Sequence, residues 1–541
     1  MKILIADKLA DEGLDYLKQQ GVAFDVKTGL SEADLAAAVA DYEGLAVRSG
    51  AQVTAAVLAN PGKLKAIARA GVGVDNIDLE AATAQGILVL NTAEASTLST
   101  AEHAMALLMS LARRIPAADA HVRSGSWKRN QFKGTQLAGK TLGVVGLGRI
   151  GRAVAQRALA FEMKVLGFDP YFSGETALDG KVAVVRDFDE FLARLDAITF
   201  HVPGGEGTRH LLNRQRLFEV AKPNLLVIND ARGEVLDEFA LAEALKAGKV
   251  GGAAIDVYAT EPPQKDHPLF GLENVVLTPH LGASTEEAQT AVSVQACEAL
   301  VAFLQHGEIR GAVNAGGIKL DLPPDELALA EVAARSGALL SAYFDGKAVK
   351  TITLRASGTR APKHLNTLLR LAAVEVIRPH IEQPVNVINV EHLAAERGIE
   401  LISVHEPAPP AGLIGDVIGV RVATSESESR RILGTAYADR IPRILRIDSF
   451  SMDMVPEGQM VLIENEDQPG VIGAVGNAFG TAGINIADMV ISRHHANGSS
   501  MALMVLKTDS APTDELVDTL RKVANIRRVL RIKLPERKQL L

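Results

Sequence analysis

The sequence predicts an α/β fold in which two parallel-sheet domains precede two smaller domains of mixed strands and helices. Three observations support this fold class. Short apolar strands alternate with amphipathic helices from residue 1 to residue 305, a glycine-rich turn follows one of those strands, and residues 459–535 have a different element order. Alternating strands and helices form parallel sheets that helices cover on both faces. A chain of 541 residues also exceeds one ordinary domain.

The composition excludes several classes of protein. A net charge of −8 argues against a general nucleic-acid-binding surface. No run of 18 apolar residues exists and the first residues lack the order of a signal peptide, so we expect no membrane segment. Cys297 is the single cysteine, which excludes an internal disulfide and is typical of a reducing compartment. We therefore expect a globular cytoplasmic protein, and we predict no metal site.

The first 95 residues predict a doubly wound sheet of the flavodoxin-like kind. Strands that are joined by helices pair in parallel, because parallel pairs need long crossover connections. The predicted strands are Lys2–Ala6, Ala23–Val26, Gly44–Val47, Ala66–Arg69 and Leu88–Leu90. The predicted helices are Asp11–Gln20, Glu32–Ala40 and Ala51–Ala59.

A glycine-rich turn then marks a dinucleotide-binding unit. It follows Thr141–Val145, a short apolar run typical of a buried parallel strand. Gly146 permits the tight turn, Gly148 lets the backbone approach a pyrophosphate, and Gly151 lets the next helix pack closely. That helix, predicted at Arg152–Met163, directs free N–H groups at the phosphates. Asp169 ends the following strand, where a carboxylate binds the adenine ribose hydroxyls. The sequence therefore predicts a Rossmann-type domain.

Two long helices connect this domain to the first sheet. One is predicted from Ser96 to Ile115, and the other from a Ser284-x-x-Glu287 capping box to Gln305. No strand follows the second helix, so the economical layout is a nucleotide domain, residues 96–284, inserted into an outer domain, residues 1–95 and 285–316. The later strands of the inserted domain are predicted at Ala197–Val202, Leu225–Asn229, Gly252–Asp256 and Val275–Thr278.

Two further domains follow a linker around Gly316-Gly317 and Pro323-Pro324. Residues 320–455 alternate helix and strand patterns without an obvious catalytic cluster, and we interpret them as an intervening α+β domain. Residues 459–535 have the ferredoxin-like order βαββαβ, which leaves room for side-by-side pairing of two copies around a small ligand. The predicted strands are Met460–Ile463, Ile484–Ser492, Met501–Lys507 and Val529–Lys533, and the helices are Val471–Ala482 and Thr513–Val523.

Three polar residues follow strands of the inserted domain. Arg232, Glu261 and His280 each come after a different predicted strand, and the carboxyl ends of parallel strands face one crevice. Histidine can take a hydroxyl proton near neutral pH, glutamate can stabilise the imidazolium, and arginine offers a planar fork for a carboxylate. This set suits oxidation of a 2-hydroxy acid. The alternative is a surface ion pair, a loop acid and a packed turn residue.

These motifs resemble the D-isomer-specific 2-hydroxyacid dehydrogenase family. The resemblance lies in the run 144–151, in Asn229-Asp-Ala-Arg-Gly and in Pro279-His-Leu-Gly-Ala-Ser-Thr. It implies that Arg232, Glu261 and His280 are catalytic and that NAD is the cofactor. The residues implied to bind NAD, several of them through the backbone, are Val72, Gly146, Gly148, Arg149, Ile150, Gly151, Asp169, Val202, Asp230, Ala231, Arg232, Asp256, His280, Leu281, Gly282 and Ala283.

Three more segments narrow the resemblance to long family members that oxidise 3-phosphoglycerate to 3-phosphohydroxypyruvate at the start of the phosphorylated route to serine. They are residues 47–49, 69–78 and 91–97. The resemblance implies that Arg48 and Arg69 bind the phosphate and carboxylate of the substrate. It also implies a homotetramer, in which Arg129, beside Trp127, reaches into the cleft of a neighbouring subunit. A solvated surface position is the alternative for Arg129.

The same resemblance implies that residues 320–455 are an intervening domain of the allosteric substrate-binding type and that residues 459–535 are an ACT domain. Asp467 in Asn465-Glu-Asp-Gln-Pro-Gly and Asn485 in Gly483-Ile-Asn-Ile resemble the ligand-binding ends of ACT domains. An amino-acid effector, with L-serine expected, would bind there. The alternative is that Asp-Gln-Pro-Gly is only a turn that begins a helix.

Two positions depart from the family pattern. Asp230 stands where a small neutral residue is expected, and a buried acid there would weaken anion binding or tune Arg232. Gly204 and Gly205 stand where leucine is usual, which predicts looser packing under the cofactor.

Two other functions remain open. A glyoxylate or hydroxypyruvate reductase is disfavoured by Arg48 and Arg69, because those substrates carry no phosphate. A nucleotide or amino-acid sensor on the same fold is disfavoured by the joint presence of Arg232, Glu261 and His280, because a sensor needs no proton relay.

Overall fold

The computed structural model describes residues 1–344, 347–424, 428–496 and 499–534. Within these residues the strands form four sheets, of five, eight, six and four strands. Among the helices described, none is both long and apolar enough to span a membrane.

The outer domain is a five-stranded parallel sheet with the strand order β2-β1-β3-β4-β5. This order confirms the flavodoxin-like prediction. Its strands are β1 Lys2–Ile5, β2 Ala23–Val26, β3 Gly44–Val47, β4 Ala66–Arg69 and β5 Leu88–Asn91. Its helices are α1 Asp11–Gln19, α2 Glu32–Val39, α3 Ala55–Leu58 and α4 Leu79–Ala84. The predicted helix Ala51–Ala59 is therefore much shorter in the structure.

The inserted domain contains an eight-stranded sheet of order β13-β12-β11-β10-β6-β7-β9-β8, in which all pairs except β8–β9 are parallel. The strand order reverses between β6 and β10, the place where such sheets bind ligands. Its strands are β6 Thr141–Val145, β7 Lys164–Phe168, β8 Thr176–Ala177, β9 Val182–Val184, β10 Ala197–Phe200, β11 Leu225–Asn229, β12 Val250–Ile255 and β13 Val275–Leu277. Its helices are α5 Thr97–Ala112, α6 Ile115–Arg123, α7 Arg149–Ala160, α8 Phe188–Leu192 and α9 Glu238–Lys246.

Helix α5 packs on α7 and the inserted sheet, whereas the returning helix α10, Glu286–His306, packs on α1 and β3–β5. The predicted helix Ser96–Ile115 is present as α5 but ends at Ala112, and the chain turns at Arg114, which has a left-handed φ of 53°. Pro116 explains why α5 stops, because proline has no N–H to donate to the Ala112 carbonyl and is tolerated only in the first turn of the next helix. The chain then continues as α6.

Two helix starts also differ from the prediction. Helix α7 begins at Arg149, because Gly148 with its extended backbone is the N-cap. The predicted Ser284–Glu287 capping box is wrong, because the N-cap is Thr285 and α10 begins at Glu286. The Thr285 Oγ1 accepts the Ala288 N–H at 3.1 Å. Threonine therefore caps a free N–H group of the first turn, as serine was predicted to do one residue earlier.

The intervening domain packs two long helices on one face of a six-stranded sheet of order β15-β14-β16-β17-β18-β19. Its helices are α11 Pro324–Tyr343, α12 Leu365–Ile377 and α13 Val390–Glu396. Its strands are β14 Thr351–Ser357, β15 Glu400–His405, β16 Val417–Ala423, β17 Ser429–Ala436, β18 Pro442–Ile447 and β19 Phe450–Met454. The domain contacts the outer domain, where the Asn386 amide donates to the Gly86 carbonyl at 2.8 Å.

The C-terminal domain confirms the βαββαβ prediction as a four-stranded antiparallel sheet of order β21-β22-β20-β23. Its elements are β20 Gln459–Glu466, α14 Val471–Thr481, β21 Ile486–Ala496, β22 Ser499–Thr508, α15 Asp514–Arg521 and β23 Ile526–Lys533. Met460 and Leu462 pack into the core of the intervening domain, so the two domains share apolar surface. The predicted domain end, residue 535, lies outside the described residues.

Candidate active site

Glu261 and His280 form a hydrogen-bonded pair beyond the carboxyl ends of β12 and β13. The His280 Nδ1 lies 2.7 Å from the Glu261 Oε2. This hydrogen bond raises the pKa of His280 above 6.5, against the opposing effect of burial. Burial would raise the pKa of Glu261, but hydrogen bonds from His280 and the Tyr258 N–H outweigh it and lower that pKa. The pair therefore leaves the Nε2 of His280 available as a proton acceptor and stabilises the imidazolium.

Asp256 holds the loop that carries His280. Its side chain is fully buried and accepts hydrogen bonds from the Leu281 N–H at 2.8 Å, the Gly282 N–H at 2.9 Å and the Thr278 hydroxyl at 2.6 Å. Burial would raise the pKa of Asp256, but hydrogen bonds from His103 and from this loop lower it to about 2. Both carboxylate oxygens are thus occupied by the protein. The contribution of Asp256 in this structure is to position His280, which has a left-handed φ of 56°.

Arg232 extends from the end of β11 toward the outer domain. Its Nη1 donates to the Ala231 carbonyl at 2.7 Å, and its Nη2 lies 3.0 Å from the Asp75 carboxylate. A Cβ atom at Gly73 would lie 1.9 Å from the Nη2, so only glycine lets the guanidinium lie against this backbone. The buried Nε has no hydrogen-bond partner among the described residues. A polar donor with no partner at a cleft suits an anionic ligand.

Two outer-domain arginines lie near Arg232, and the guanidinium of one of them, Arg48, is bonded to the Gln289 side chain and the Lys8 carbonyl. Arg48 follows β3 and Arg69 ends β4, two neighbouring strands. Burial lowers the pKa of the Arg69 guanidinium, and the positive charges of Arg232 and Arg48 lower it further. The Arg69 Nε has no hydrogen-bond partner among the described residues. The structure therefore brings the three arginines together, although they come from both domains, and their mutual repulsion favours a ligand with more than one negative charge.

The glycine-rich turn has the geometry that its residue types predict. A Cβ at Gly146 would lie 2.4 Å from the His201 carbonyl oxygen, and one at Gly151 would lie 1.9 Å from the Gly146 oxygen. At Gly148 a Cβ would meet no atom within 4 Å, so the backbone there is open to a ligand at the N-terminus of α7. Asp169 follows β7 and accepts the Leu147 N–H at 2.9 Å, which fixes its carboxylate beside the turn. These features fit a dinucleotide.

The other residues predicted to bind the cofactor have the following surroundings. The Asn91 amide donates to the Val72 carbonyl at 2.7 Å. Ala231 and Gly282 are buried, whereas Leu281 is 40% exposed. Ile150 and Val202 pack at the edges of the inserted core, and Ala283 accepts the Gln289 amide N–H through its carbonyl. The Arg149 guanidinium bonds the exposed Glu94 at 2.5 Å and thus lies at the surface.

The two departures from the family pattern are Asp230 and the pair Gly204-Gly205. Asp230 is fully buried near His201, with 3.5 Å between its Oδ1 and the His201 Nδ1. Burial and the neighbouring Asp256 raise the pKa of Asp230 well above 3.8, and burial lowers that of His201 to about 3. Burial therefore disfavours the charged form of Asp230, which lessens the negative charge behind Arg232. The Gly205 N–H donates to Glu234 at 2.6 Å.

Arg129 does not reach the cleft of its own chain by any polar contact. It begins a short 3₁₀ helix, Arg129–Phe132, and is exposed, without a hydrogen bond or ion pair to the described residues. The neighbouring Trp127 is 77% exposed, and α6 before it has no buried residue. This arm has few contacts within the chain.

Asp467 lines a cavity of about 290 Å³ in the C-terminal domain, together with Arg493 and the turn at Pro469-Gly470. Its Oδ2 accepts the Ser500 hydroxyl at 3.2 Å and lies 3.4 Å from the Arg493 Nε. Asn485 lies elsewhere and donates to Asp509 at 2.7 Å, so one chain does not bring the two predicted effector residues together.

Several residues were missed by the sequence argument. His103 approaches Asp256 at 3.2 Å, and Tyr258 contacts both segments of the Glu261–His280 pair. No spacing rule points to either, because each acts through contacts between elements. Asn465 is buried in the cavity that Asp467 lines, with its Oδ1 unpartnered among the described residues. Its position at the end of the strand before Asp467 was an available signal.

Three comparisons relate the chain to known proteins. Residues 105–282 match the model of the D-isomer specific 2-hydroxyacid dehydrogenase NAD binding domain. Residues 329–448 match the D-3-phosphoglycerate dehydrogenase intervening domain, and residues 459–525 match the ACT domain.

Curated relatives match over nearly the full chain. A D-3-phosphoglycerate dehydrogenase of Archaeoglobus fulgidus is 40% identical, covering 97% of this chain and 98% of its own. One of Methanocaldococcus jannaschii is 39% identical, covering 99% and 100%. Among solved structures, D-lactate dehydrogenase from Aquifex aeolicus complexed with NAD and lactic acid is 29% identical, with a TM-score of 0.50, covering 56% of this chain and 95% of that one.

Proposed function

The chain belongs to the D-3-phosphoglycerate dehydrogenases, and we propose that Arg232, Glu261 and His280 carry out its reaction. That reaction is the NAD-dependent oxidation of 3-phosphoglycerate to 3-phosphohydroxypyruvate, the first step of the phosphorylated route to serine. The observation that supports these roles best is the convergence of the Glu261–His280 pair and three arginines on one cleft.

His280 takes the proton of the substrate 2-hydroxyl on its Nε2. NAD, when bound, would accept the hydride that leaves C2 of the substrate. Glu261 keeps the Nδ1 of His280 in a hydrogen bond, so the imidazolium that forms is stabilised where it is needed. In the reverse direction the same imidazolium returns the proton to the carbonyl oxygen.

Arg232 holds the substrate carboxylate and the reacting oxygen. The Asp75 contact and the Gly73 backbone keep its guanidinium across the cleft. Planar donors in a fixed fork bind a carboxylate with both geometry and charge. Substrate orientation follows, because the 2-hydroxyl is then directed at His280.

Arg48 and Arg69 add positive charge for the phosphate and the carboxylate of the substrate, and the carboxylate is shared with Arg232. Burial is the main reason that the pKa of Arg69 is lowered, and the charges of Arg232 and Arg48 lower it further, so a phosphate bound there would relieve an unfavourable concentration of positive charge. This arrangement favours a phosphorylated hydroxy acid over glyoxylate or hydroxypyruvate, which offer one fewer anionic group.

NAD binds along the turn Gly146–Gly151, with the remaining predicted residues lining the cleft through side chains or backbone. Asp169 selects NAD over NADP, because its carboxylate repels a 2′-phosphate. The proposed domain boundaries are 96–284 for the nucleotide domain within 1–95 and 285–316, and the packing of α5 on α7 and of α10 on α1 supports them.

L-Serine is the effector that we propose for the cavity at Asp467, where Arg493 also offers a positive group to a carboxylate. Asn485 would complete the site from a second copy of the ACT domain. A homotetramer, with the exposed arm of Trp127 and Arg129 reaching a neighbouring subunit, is supported by the absence of buried residues on α6. A cytoplasmic location is supported by Cys297, the one cysteine of the chain.

The test is the rate of NADH formation with a panel of hydroxy acids. 3-Phosphoglycerate should be oxidised far more efficiently than glycerate, D-lactate or glycolate. Equal efficiency with glycerate would contradict the phosphate site, and no NADH formation with any member would favour the sensor alternative.

A further inference from the structure

Tyr258 contacts Glu261 and the segment that carries His280. Its backbone N–H donates to the Glu261 Oε1 at 3.1 Å. Its hydroxyl donates to the Thr278 carbonyl at 3.1 Å, two residues before His280. The residue therefore ties the segment after β12 to the segment after β13. The remaining oxygen of Glu261 is free to bond His280.

Tyr258 is itself held from three sides. The Glu238 Oε1 accepts the next backbone N–H, that of Ala259, at 3.0 Å. The other oxygen of Glu238 lies 3.2 Å from the His267 Nε2, and both side chains are about nine-tenths buried. The His267 ring meets the Tyr258 ring edge-on, with 5.5 Å between centroids. A Cβ at Gly233 would lie 1.9 Å from the Tyr258 carbonyl carbon, so the turn after Arg232 packs directly on this backbone.

We propose that Tyr258 is a positioning residue that sets the contact between Glu261 and His280, and that Glu238 and His267 anchor it. The inference rests on the proposed roles of Glu261 and His280. It assigns no proton transfer to the tyrosine: burial and the nearby Asp256 raise the pKa of Tyr258 to about 12, so its hydroxyl remains a donor to Thr278 throughout the working range.

Two charged groups besides Glu261 act on His280: Asp256 and Arg232. The Asp256 carboxylate is fully occupied by His103, Thr278 and the loop N–H groups. Neither group bonds the Tyr258 hydroxyl directly, but Thr278 accepts that hydroxyl at its carbonyl and donates its own hydroxyl to Asp256. A change in the pH profile after loss of the Tyr258 hydroxyl therefore reports how this network holds His280 against Glu261.

The variant that tests the proposal is Tyr258→Phe, which removes one oxygen and keeps the ring against His267. With the Thr278 tether lost, the Glu261–His280 hydrogen bond weakens and the pKa of His280 falls. The rise of kcat/KM for oxidation should move to lower pH by about 0.3–1 unit. Plateau kcat should fall about three- to tenfold, with KM for 3-phosphoglycerate and the NADH dissociation constant within about twofold.

Tyr42→Phe is the matched control, because the Tyr42 hydroxyl also donates to a partly buried oxygen, on Asp25, in the outer domain. It should change stability without moving the pH profile. Glu238→Gln keeps an acceptor for the Ala259 N–H but removes the charge beside His267, so it should shift the profile less than Glu238→Ala.

Comparing Tyr258→Phe with His280→Ala distinguishes a failure of this inference from a failure of the proposed function. If His280→Ala is inactive and Tyr258→Phe leaves the acid limb where it is in the parent enzyme, the positioning role is overturned. An equal shift in Tyr42→Phe would overturn it as well. If His280→Ala itself remains active, the proposed roles of the pair are wrong, and that failure is recognised independently of Tyr258.

Discussion

Replacing Glu261 by glutamine tests how much the carboxylate contributes to the basicity of His280. The 2.7 Å contact is a hydrogen bond between charged groups once His280 is protonated. Such bonds contribute about 1.5–3 kcal/mol when they are well shielded. The two side chains are 53% and 37% exposed, so solvent screening reduces the figure to about 1 kcal/mol. At about 1.36 kcal/mol for each unit, the pKa of His280 should fall by about 0.7 unit.

The assay is kcat/KM as a function of pH in both directions. Oxidation needs neutral His280, so its rate rises with pH through the His280 pKa, and in Glu261→Gln the rise should occur at lower pH. Reduction needs the imidazolium, and its decline with pH should move in the same direction. A profile that stays in place in both directions would refute the electrostatic coupling, even if kcat fell, because a fall in kcat alone can come from altered packing.

Glu261→Gln should also change how the free energy of unfolding depends on pH. The folded-state pKa of His280 is raised, so its contribution is fully present below pH 6.5 and is lost as pH rises through the folded value. The folded-state pKa of Glu261 is lowered, so its contribution is present above pH 4.5 and is lost as pH falls through the folded value. The free energy of unfolding should therefore differ most between parent and variant from pH 4.5 to 6.5. Denaturant unfolding inside and above this window measures the difference.

Three further predictions concern the other sites. Asp169→Ala should weaken NAD binding, measured by titration, more than it lowers kcat, and equal efficiency of the parent enzyme with NADP would count against the ribose contact. Arg69→Ala should raise the KM for 3-phosphoglycerate by the equivalent of about 1.5–3 kcal/mol with NADH affinity unchanged, whereas a lower kcat at constant KM would place Arg69 outside the phosphate site. Serine should bind and inhibit with a coupling of about 1–3 kcal/mol, and Asp467→Ala should weaken its binding in calorimetry; no heat with the parent at millimolar serine would mean that the cavity serves another ligand. Removing the ACT domain near Pro456 is a poorer test, because Met460 and Leu462 belong to the core of the intervening domain.

The parallel sheets were predictable because their strands are continuous apolar runs. Ala66–Arg69 and Leu225–Asn229 have the predicted bounds, since strands buried on both faces need apolar residues at nearly every position. The ends of helices were less predictable. Thr285 and Ser284 are equivalent caps by chemistry, and the choice depends on the Leu281 carbonyl, which accepts the Ser284 N–H.

The members of the active site were predictable from strand ends, but their connections were not. Arg232, Glu261 and His280 each follow a strand of one sheet, so their convergence follows from topology. The roles of Tyr258 and His103 depend on contacts between elements far apart in the chain, which no sequence period encodes. The place of Asp256 beside the cofactor stays a prediction, and the sequence did not indicate that its carboxylate also holds the His280 loop.

If His280 is the acid–base group of the reaction, its replacement by alanine removes the proton acceptor. The measurement is kcat of His280→Ala for 3-phosphoglycerate oxidation, with NADH binding followed by fluorescence to verify that the cofactor site is intact. We expect a loss of at least about a hundredfold in kcat, with NADH affinity within about threefold of the parent. Turnover within a few-fold of the parent enzyme, with the same NADH affinity, would contradict it.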